Sequence, residues 1–156
     1  MPPMKLSRKT EYALRALADL ATSGEREVVQ IQDLARREHL PAKFLEQIFA
    51  SLKNAGILQS RRGSGGGYSL SRPAGEIALG EVIRCMEGEL TIVGFEAEEG
   101  TGAGSELDEH AGALREVMEE VHRALSGVLD TRTVADVCAR TRTLQSQRAT
   151  TPYYSI

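Results

Sequence analysis

The residues best suited to chemistry form a glycine-rich loop that follows two arginines. The segment reads Arg61, Arg62, Gly63, Ser64, Gly65, Gly66 and Gly67. Glycine lets a backbone approach phosphates closely, and an adjacent arginine can enter a narrow DNA minor groove. A glycine loop can also cradle nucleotide phosphates in an enzyme, but GxxxxGK[ST] is absent here and GxGxxG is incomplete. The loop therefore favours a nucleic-acid contact over a nucleotide site.

A second set of candidate residues follows Pro41. Apolar residues repeat there with the spacing of one helix face, which predicts a helix from Pro41 to Ala55. The outward positions near its start are Ala42, Lys43, Phe44, Glu46 and Gln47. Glutamine can pair with adenine, glutamate can accept from cytosine, and lysine suits a phosphate or a guanine. These residues predict a base-reading surface, with a plain solvated helix face as the alternative.

The elements that must position these residues follow from periodicity, caps and turns. The predicted elements are a helix from Ser7 to Gly24, an extended Val28-Val29, a helix from Ile31 to Arg37, the helix from Pro41, strands Ile57 to Arg62 and Tyr68 to Ser71, and a helix from Leu79 to Glu87. Two helices joined by a short turn and followed by a hairpin predict a winged helix-turn-helix. Its second helix can enter a major groove, and its hairpin can lie on the adjoining backbone.

A heptad pattern marks a long helix behind a loop that ends near Gly104. Its seam consists of Leu107, Ala111, Leu114, Met118, Val121, Leu125 and Val128. We expect a homodimer through Leu114, Met118, Val121 and Leu125, because the small N-terminal domain cannot cover them all. The alternative is that this helix packs wholly against its own domain.

The chain divides into four predicted segments. Residues 1–75 form the winged helix-turn-helix, 76–104 a helix and linker, 105–142 the dimerisation helix and a short final helix, and 143–156 a flexible tail. Thr133 to Asp136 cap the final helix, which we expect to end near Thr141. The polar tail beyond it is expected to be loosely ordered.

Charge and cysteine content narrow the function classes. The net charge of −3 combines +5 for residues 1–75 with −8 for residues 76–156, which is consistent with a basic binding head. The sequence contains no run of 18 apolar residues, so it predicts no membrane span, and the N-terminus lacks the apolar core of a secretory signal. Cys85 and Cys138 form neither a CxxC pair nor a nucleophile with a nearby histidine in sequence. We therefore expect a cytoplasmic, non-enzymatic protein.

The ordered motifs resemble the Rrf family of bacterial winged helix-turn-helix regulators, the group that contains IscR, NsrR and CymR. The motifs that carry the resemblance are residues 10–15, 44–49, 52–58, 61–70, 79–83 and 133–137. The resemblance implies a dimer on a palindromic operator, usually repressing it. It also implies base reading by Lys43, Phe44, Glu46 and Gln47 and minor-groove contact by Arg62.

One departure from this family concerns iron–sulfur clusters. Cluster-binding members carry three cysteines before the long helix, the last followed three residues later by histidine. Here residues 88–109 contain no cysteine, and Leu107 stands three residues before His110. The cluster ligands therefore do not carry over, and we expect no metal site and no cofactor.

Together these patterns predict a mainly α protein with a small β-hairpin wing and a long C-terminal dimerisation helix. The predicted function is sequence-specific regulation of transcription by binding double-stranded DNA as a homodimer. The predicted DNA contacts are Lys43, Phe44, Glu46, Gln47, Arg61, Arg62, Gly65, Gly66 and Gly67. Two alternatives stay open: a cluster- or metal-sensing regulator with non-cysteine ligands, and a winged helix used for protein contact.

Overall fold

The computed structural model describes residues 6–24, 27–89 and 106–150. Within these ranges the elements are α1 (Arg8–Ser23), α2 (Ile31–Glu38), α3 (Ala42–Asn54), β1 (Leu58–Arg61), β2 (Gly67–Leu70), a 3-10 turn (Ala74–Glu76), α4 (Leu79–Glu87), α5 (Glu106–Thr131) and α6 (Val134–Thr150). The described chain is mainly helical with a two-stranded antiparallel hairpin, which confirms the predicted fold class.

Helix α1 lies at the centre of the packing. Its N-cap is Ser7, whose side chain accepts a hydrogen bond from the Thr10 backbone N–H at 3.2 Å, and it ends at Gly24 with φ of 129°. Its inner face is closed to solvent and packs against α2, α3, α4 and α6. The cap and the glycine stop are local signals, so both ends of this helix agree with the sequence prediction.

The core brings together segments that are distant in the sequence. Phe49 and Leu52 of α3, Val82 of α4 and Val134 of α6 are all buried in one cluster with α1. We call this packed body the head; it consists of α1 to α4, the hairpin and the start of α6. By contrast, α5 packs mainly against α4 among the described elements.

The expected short final helix and loose tail were wrong for residues 143–150. Helix α6 runs on to Thr150, although it has no continuous apolar face. Four hydroxyl side chains donate to the carbonyl four residues earlier, and they belong to Thr141, Thr143, Ser146 and Thr150. The stretch before Pro152 contains neither glycine nor proline, so it lacks a helix stop. Residues 151–156 lie outside the described ranges.

Smaller differences concern element ends. Pro41 is the N-cap of α3 and not its first residue, because its backbone is extended and its carbonyl accepts from Phe44 and Leu45. Helix α2 continues one residue further, to Glu38; β1 is shorter than predicted, and β2 has the predicted length but begins and ends one residue earlier. The expected loop between α4 and α5 lies largely outside the described residues.

Candidate nucleic-acid interface

The turn between α2 and α3 sets the angle at which α3 is presented. His39 adopts the left-handed conformation, with φ of 54°, immediately after α2. The Leu40 N–H donates to the Ala35 carbonyl at 2.9 Å and the His39 N–H donates to the Arg36 carbonyl at 3.4 Å. This is the Schellman pattern, and buried Leu40 supplies its usual apolar contact. The short turn predicted between these two helices is thus a defined helix stop.

Two arginine pairs fix α2 against α1. Arg15 of α1 donates to the Glu38 carbonyl at 2.7 Å and also pairs with the Glu38 carboxylate at 3.2 Å. Arg37 of α2 pairs with Asp19 of α1 at 2.5 Å. These four charged side chains pair with one another between α1 and α2. The basic side chains of a nucleic-acid interface must therefore come from other positions.

The outward face of α3 carries exposed side chains of the types that read DNA bases. Lys43, Glu46 and Gln47 are exposed, as the sequence predicts. Phe44 is half-buried, and its ring meets the Tyr12 ring edge-on at a centroid distance of 5.6 Å. Phe44 therefore anchors the start of α3 to α1, which sequence spacing alone did not indicate.

The hairpin is held to the head by a bridge that was not predicted. Val29 and Tyr68 exchange two backbone hydrogen bonds, of 2.9 and 2.8 Å, which place the extended Val28-Val29 beside β2. The Tyr68 ring also meets Phe49 of α3 at a centroid distance of 5.0 Å. Hairpin and α3 are thus coupled through their inner faces.

The glycines of the loop have distinct structural tasks. A Cβ on Gly67 would overlap the Val29 carbonyl oxygen, and a Cβ on Gly66 would overlap the Arg61 carbonyl oxygen. Gly65, with φ of 80°, has open space around it at the exposed tip. Gly66 and Gly67 are therefore required by close contacts within the hairpin, while Gly65 is favoured by its positive φ alone.

The loop arginines are exposed and unused within the head. Among the described residues, Lys43, Arg61 and Arg62 form no ion pair. A polar groove of about 660 Å³ beside the hairpin is lined partly by Arg61, Arg62 and Arg72. Free cations on an exposed hairpin suit phosphate oxygens.

Helix α5 presents an apolar face to solvent. At 26 residues it is about 39 Å long. Leu114 and Val121 of the predicted seam are 44% and 46% exposed, whereas Met118 and Leu125 are half-buried. Val117 is 54% exposed and lies beside this seam, and the heptad analysis did not include it. Exposed apolar faces of this kind are typical of interaction surfaces.

Both cysteines are packed against backbone carbonyls of neighbouring helices. Cys85 is half-buried and its Sγ donates to the Ser51 carbonyl at 3.7 Å; burial raises the pKa of its thiol, which Lys9 partly offsets. Cys138 is buried and its Sγ donates to the Ala18 carbonyl at 3.5 Å. In the described ranges, no three His, Cys, Asp or Glu side chains gather as a metal site would require. Likewise, none of the described helices is long and apolar enough to cross a membrane.

A helix-turn-helix with a docked glycine hairpin and a long helix behind it defines a winged helix-turn-helix regulator. Residues 6–140 match the Rrf2 family, whose description is iron-dependent transcriptional regulator, and the chain belongs to this family. It is a DNA-binding transcription regulator, and its relatives are not enzymes.

Similar proteins cover almost the whole chain. A Mycobacterium tuberculosis protein named as an HTH-type transcriptional regulator is 36% identical over 135 residues, which are 86% of this chain and 81% of that protein. IscR of Enterobacter sp. is 31% identical over 152 residues, covering 94% and 93% of the two chains. The structure of CymR, the global cysteine regulator of B. subtilis, superposes with a TM-score of 0.72 at 30% identity, over 88% of this chain and 98% of CymR.

The donor set of this chain does not fit an iron–sulfur cluster. Such clusters are held mainly by cysteine thiolates. The chain has two cysteines, one hydrogen-bonded within the α3–α4 contact and the other within the α1–α6 contact. The iron dependence in the family description thus lacks a matching set of thiolates here.

Proposed function

We propose that the protein binds a palindromic DNA operator as a homodimer and represses transcription there. The observation that carries this proposal is the coupling of the exposed α3 face to the hairpin through Phe49 and Tyr68. Because the two elements are packed against each other, α3 can enter a major groove while the hairpin lies on the neighbouring backbone.

Readout is divided between the two elements. Gln47 and Glu46 suit base edges, Lys43 suits a phosphate or guanine, and the uncovered part of Phe44 can touch a thymine methyl. Arg62 enters the flanking minor groove, and Arg61 and the backbone of residues 65–67 approach phosphates. Exposure and freedom from described ion pairs support these roles for the basic residues.

The dimer forms through α5. Leu114, Met118, Val121 and Leu125 repeat on one helix face, and the exposed ones lose contact with water when two copies pair. Two heads related by a two-fold axis match a palindromic operator. We further propose that the regulator works in the cytoplasm without an iron–sulfur cluster, since its thiols are too few and are packed inside the head.

Selection of bound duplexes from a random DNA pool tests the function directly. We expect a palindromic consensus, and we expect Arg62→Ala to weaken binding most when the flank is rich in A·T pairs. Arg148→Ala, which removes an exposed arginine from α6, is the matched control and should bind like the parent. Recovery of no consensus sequence would contradict the proposal and favour a winged helix used for protein contact.

A further inference from the structure

The chain joins the long helix to the head at a compact joint, formed by residues 77–84 and 130–134. The Leu79 N–H donates to the Arg132 carbonyl at 2.8 Å, and the Val134 N–H donates to the Ile77 carbonyl at 3.0 Å. Ile77 and Val134 are also buried in the core. The backbone leaving α5 is therefore paired with the backbone entering α4.

A charged contact strengthens the joint. Asp130 lies in the last turn of α5, where the helix dipole disfavours a carboxylate, and this turn contains no basic residue. Its Oδ1 pairs instead with Nη2 of Arg84 on α4 at 2.5 Å. An acidic residue in an unfavourable helix position thus gains its partner across the joint.

A glycine makes room for this contact. Gly80 is buried inside α4, and a Cβ there would overlap the Asp130 Oδ1 atom and crowd the Arg84 guanidinium. The overlap is with the tip of the Asp130 side chain, so a methyl group at this position would push that carboxylate away from its place beside Arg84. Gly80 thus leaves open the space in which Asp130 meets Arg84.

The same face of α4 is connected to the hairpin. Arg72, just after β2, pairs with Glu81 and donates to the Glu76 carbonyl at 2.5 Å. Glu81 and Arg84 are three residues apart and therefore neighbours on the helix surface. One side of α4 thus contacts both the end of the hairpin and the end of α5.

We propose that Gly80, Arg84 and Asp130 are positioning residues that set the angle between head and α5, and thereby the operator half-site spacing that the dimer accepts. This inference rests on the proposed function. In a dimer joined through α5, a small rotation at the joint moves the recognition helices apart or out of phase. One additional base pair shifts a half-site by about 3.4 Å and rotates it by about 35°.

The test compares three duplexes built from the selected operator: native spacing, spacing longer by one base pair, and a single half-site. The variants are Asp130→Asn, which keeps side-chain shape, and Gly80→Ala, which displaces Asp130. For both we expect single half-site binding within about twofold of the parent, since α3 and the hairpin are unchanged. The ratio of the affinity for the duplex with native spacing to that for the longer duplex should fall by about fivefold or more, because the head is less firmly oriented relative to α5.

Glu116→Gln is the control, since it removes one exposed carboxylate from α5 at a heptad position opposite the seam. It should keep the parent's spacing preference. An unchanged preference in Asp130→Asn, with the dimer intact by sedimentation, would overturn this inference and leave the proposed function standing. A parent protein that binds none of the duplexes would overturn both.

Discussion

At the scale of single residues, the charged side chains of the head divide into two groups. Arg15, Arg37 and Arg72 pair with carboxylates and orient the elements around α1 and α4. Partly exposed pairs of this kind contribute on the order of 1 kcal/mol or less each, so their main effect is geometric. Lys43 and Arg62 have no ion pair among the described residues and remain available for DNA.

Two substitutions on α3 should separate base reading from phosphate attraction. Gln47→Ala should weaken binding by about 1–3 kcal/mol and relax preference at one position per half-site, because a base edge loses its partner. Lys43→Ala should weaken binding to all DNA sequences more evenly, since a phosphate contact is independent of sequence. It should also reduce the slope of log K against log salt concentration by about one. Titrations at several salt concentrations on consensus and mutated operators measure both effects. Binding equal to the parent in both variants would contradict the docking mode.

Glu87 provides a pH-dependent contact at the base of the head. Its carboxylate accepts from the Ser7 backbone N–H at 2.9 Å and from the Thr10 hydroxyl. Hydrogen bonding by the Ser7 side chain, the Thr10 side chain and the Ser7 backbone lowers the pKa of Glu87. Because the folded pKa is depressed, the stabilisation is fully present above the unfolded pKa of about 4.3 and is lost as pH falls through the folded value.

Glu87→Gln should therefore lower the free energy of unfolding at neutral pH, and the difference from the parent should shrink as the solution becomes acidic. Urea unfolding between neutral pH and the acid limit of the folded state measures this difference. Glu89→Gln, an exposed neighbour, is the control. A difference that is independent of pH would mean that the ionised carboxylate is not the source of the stabilisation.

At the scale of elements, the turn between α2 and α3 limits the stability of the helix-turn-helix. His39 occupies a left-handed conformation that glycine adopts with less strain. His39→Gly should stabilise the fold by about 0.5–1 kcal/mol, net of the added entropy of the unfolded chain. The matched control Ala50→Gly, at an exposed interior position of α3, should destabilise by about 1 kcal/mol. Thermal unfolding of both variants measures the effects, and destabilisation by His39→Gly would contradict the strain argument.

The hairpin illustrates how one element depends on another for its position. A two-stranded hairpin alone is marginal in water. Here the Val29 bridge adds backbone hydrogen bonds at its side, and the Tyr68–Phe49 contact adds apolar packing below it. The close approach of Gly67 to Val29 is what allows the first of these contacts.

At the scale of the whole molecule, the exposed face of α5 predicts a dimer. Val121→Glu should place charges against one another at the centre of the seam and shift the protein to monomer at micromolar concentration. Sedimentation velocity measures the change, and helical circular dichroism checks that the head remains folded. Glu116→Gln should remain dimeric. A monomeric parent with an intact fold would disprove the dimer proposal.

The cysteine inventory leads to the final prediction for the whole molecule. Anaerobic purification followed by reconstitution with iron and sulfide should leave the protein colourless, because two packed cysteines per chain do not provide a cluster's thiolates. The colourless protein should still bind its operator. Visible charge-transfer absorption with stoichiometric iron, lost in Cys85→Ser or His110→Ala, would contradict this prediction.

The elements with local signals could be predicted from the amino-acid sequence. Apolar spacing of three and four residues identified α1 and α3, Ser7 and Gly24 marked the ends of α1, and glycines marked the hairpin. Such signals lie within a few residues of one another, so no tertiary information is needed to interpret them. The same reasoning identified Lys43 and Gln47 as outward-facing, which the structure confirms.

Contacts between groups distant in the sequence could be seen only in the folded protein. Phe44 packs on Tyr12, and the Asp130 side chain lies against Gly80. Glu87 accepts a hydrogen bond from the Ser7 N–H at the start of α1, 80 positions away in the sequence. These contacts depend on how helices cross, and a helical repeat specifies a face without specifying its partner. The length of α6 was missed because its polar positions resemble a tail, whereas its first turns pack on α1 and no glycine or proline interrupts it before Pro152. The orientation of the predicted elements thus depends on long-range packing. Such packing involves the whole chain, so local sequence signals do not specify it.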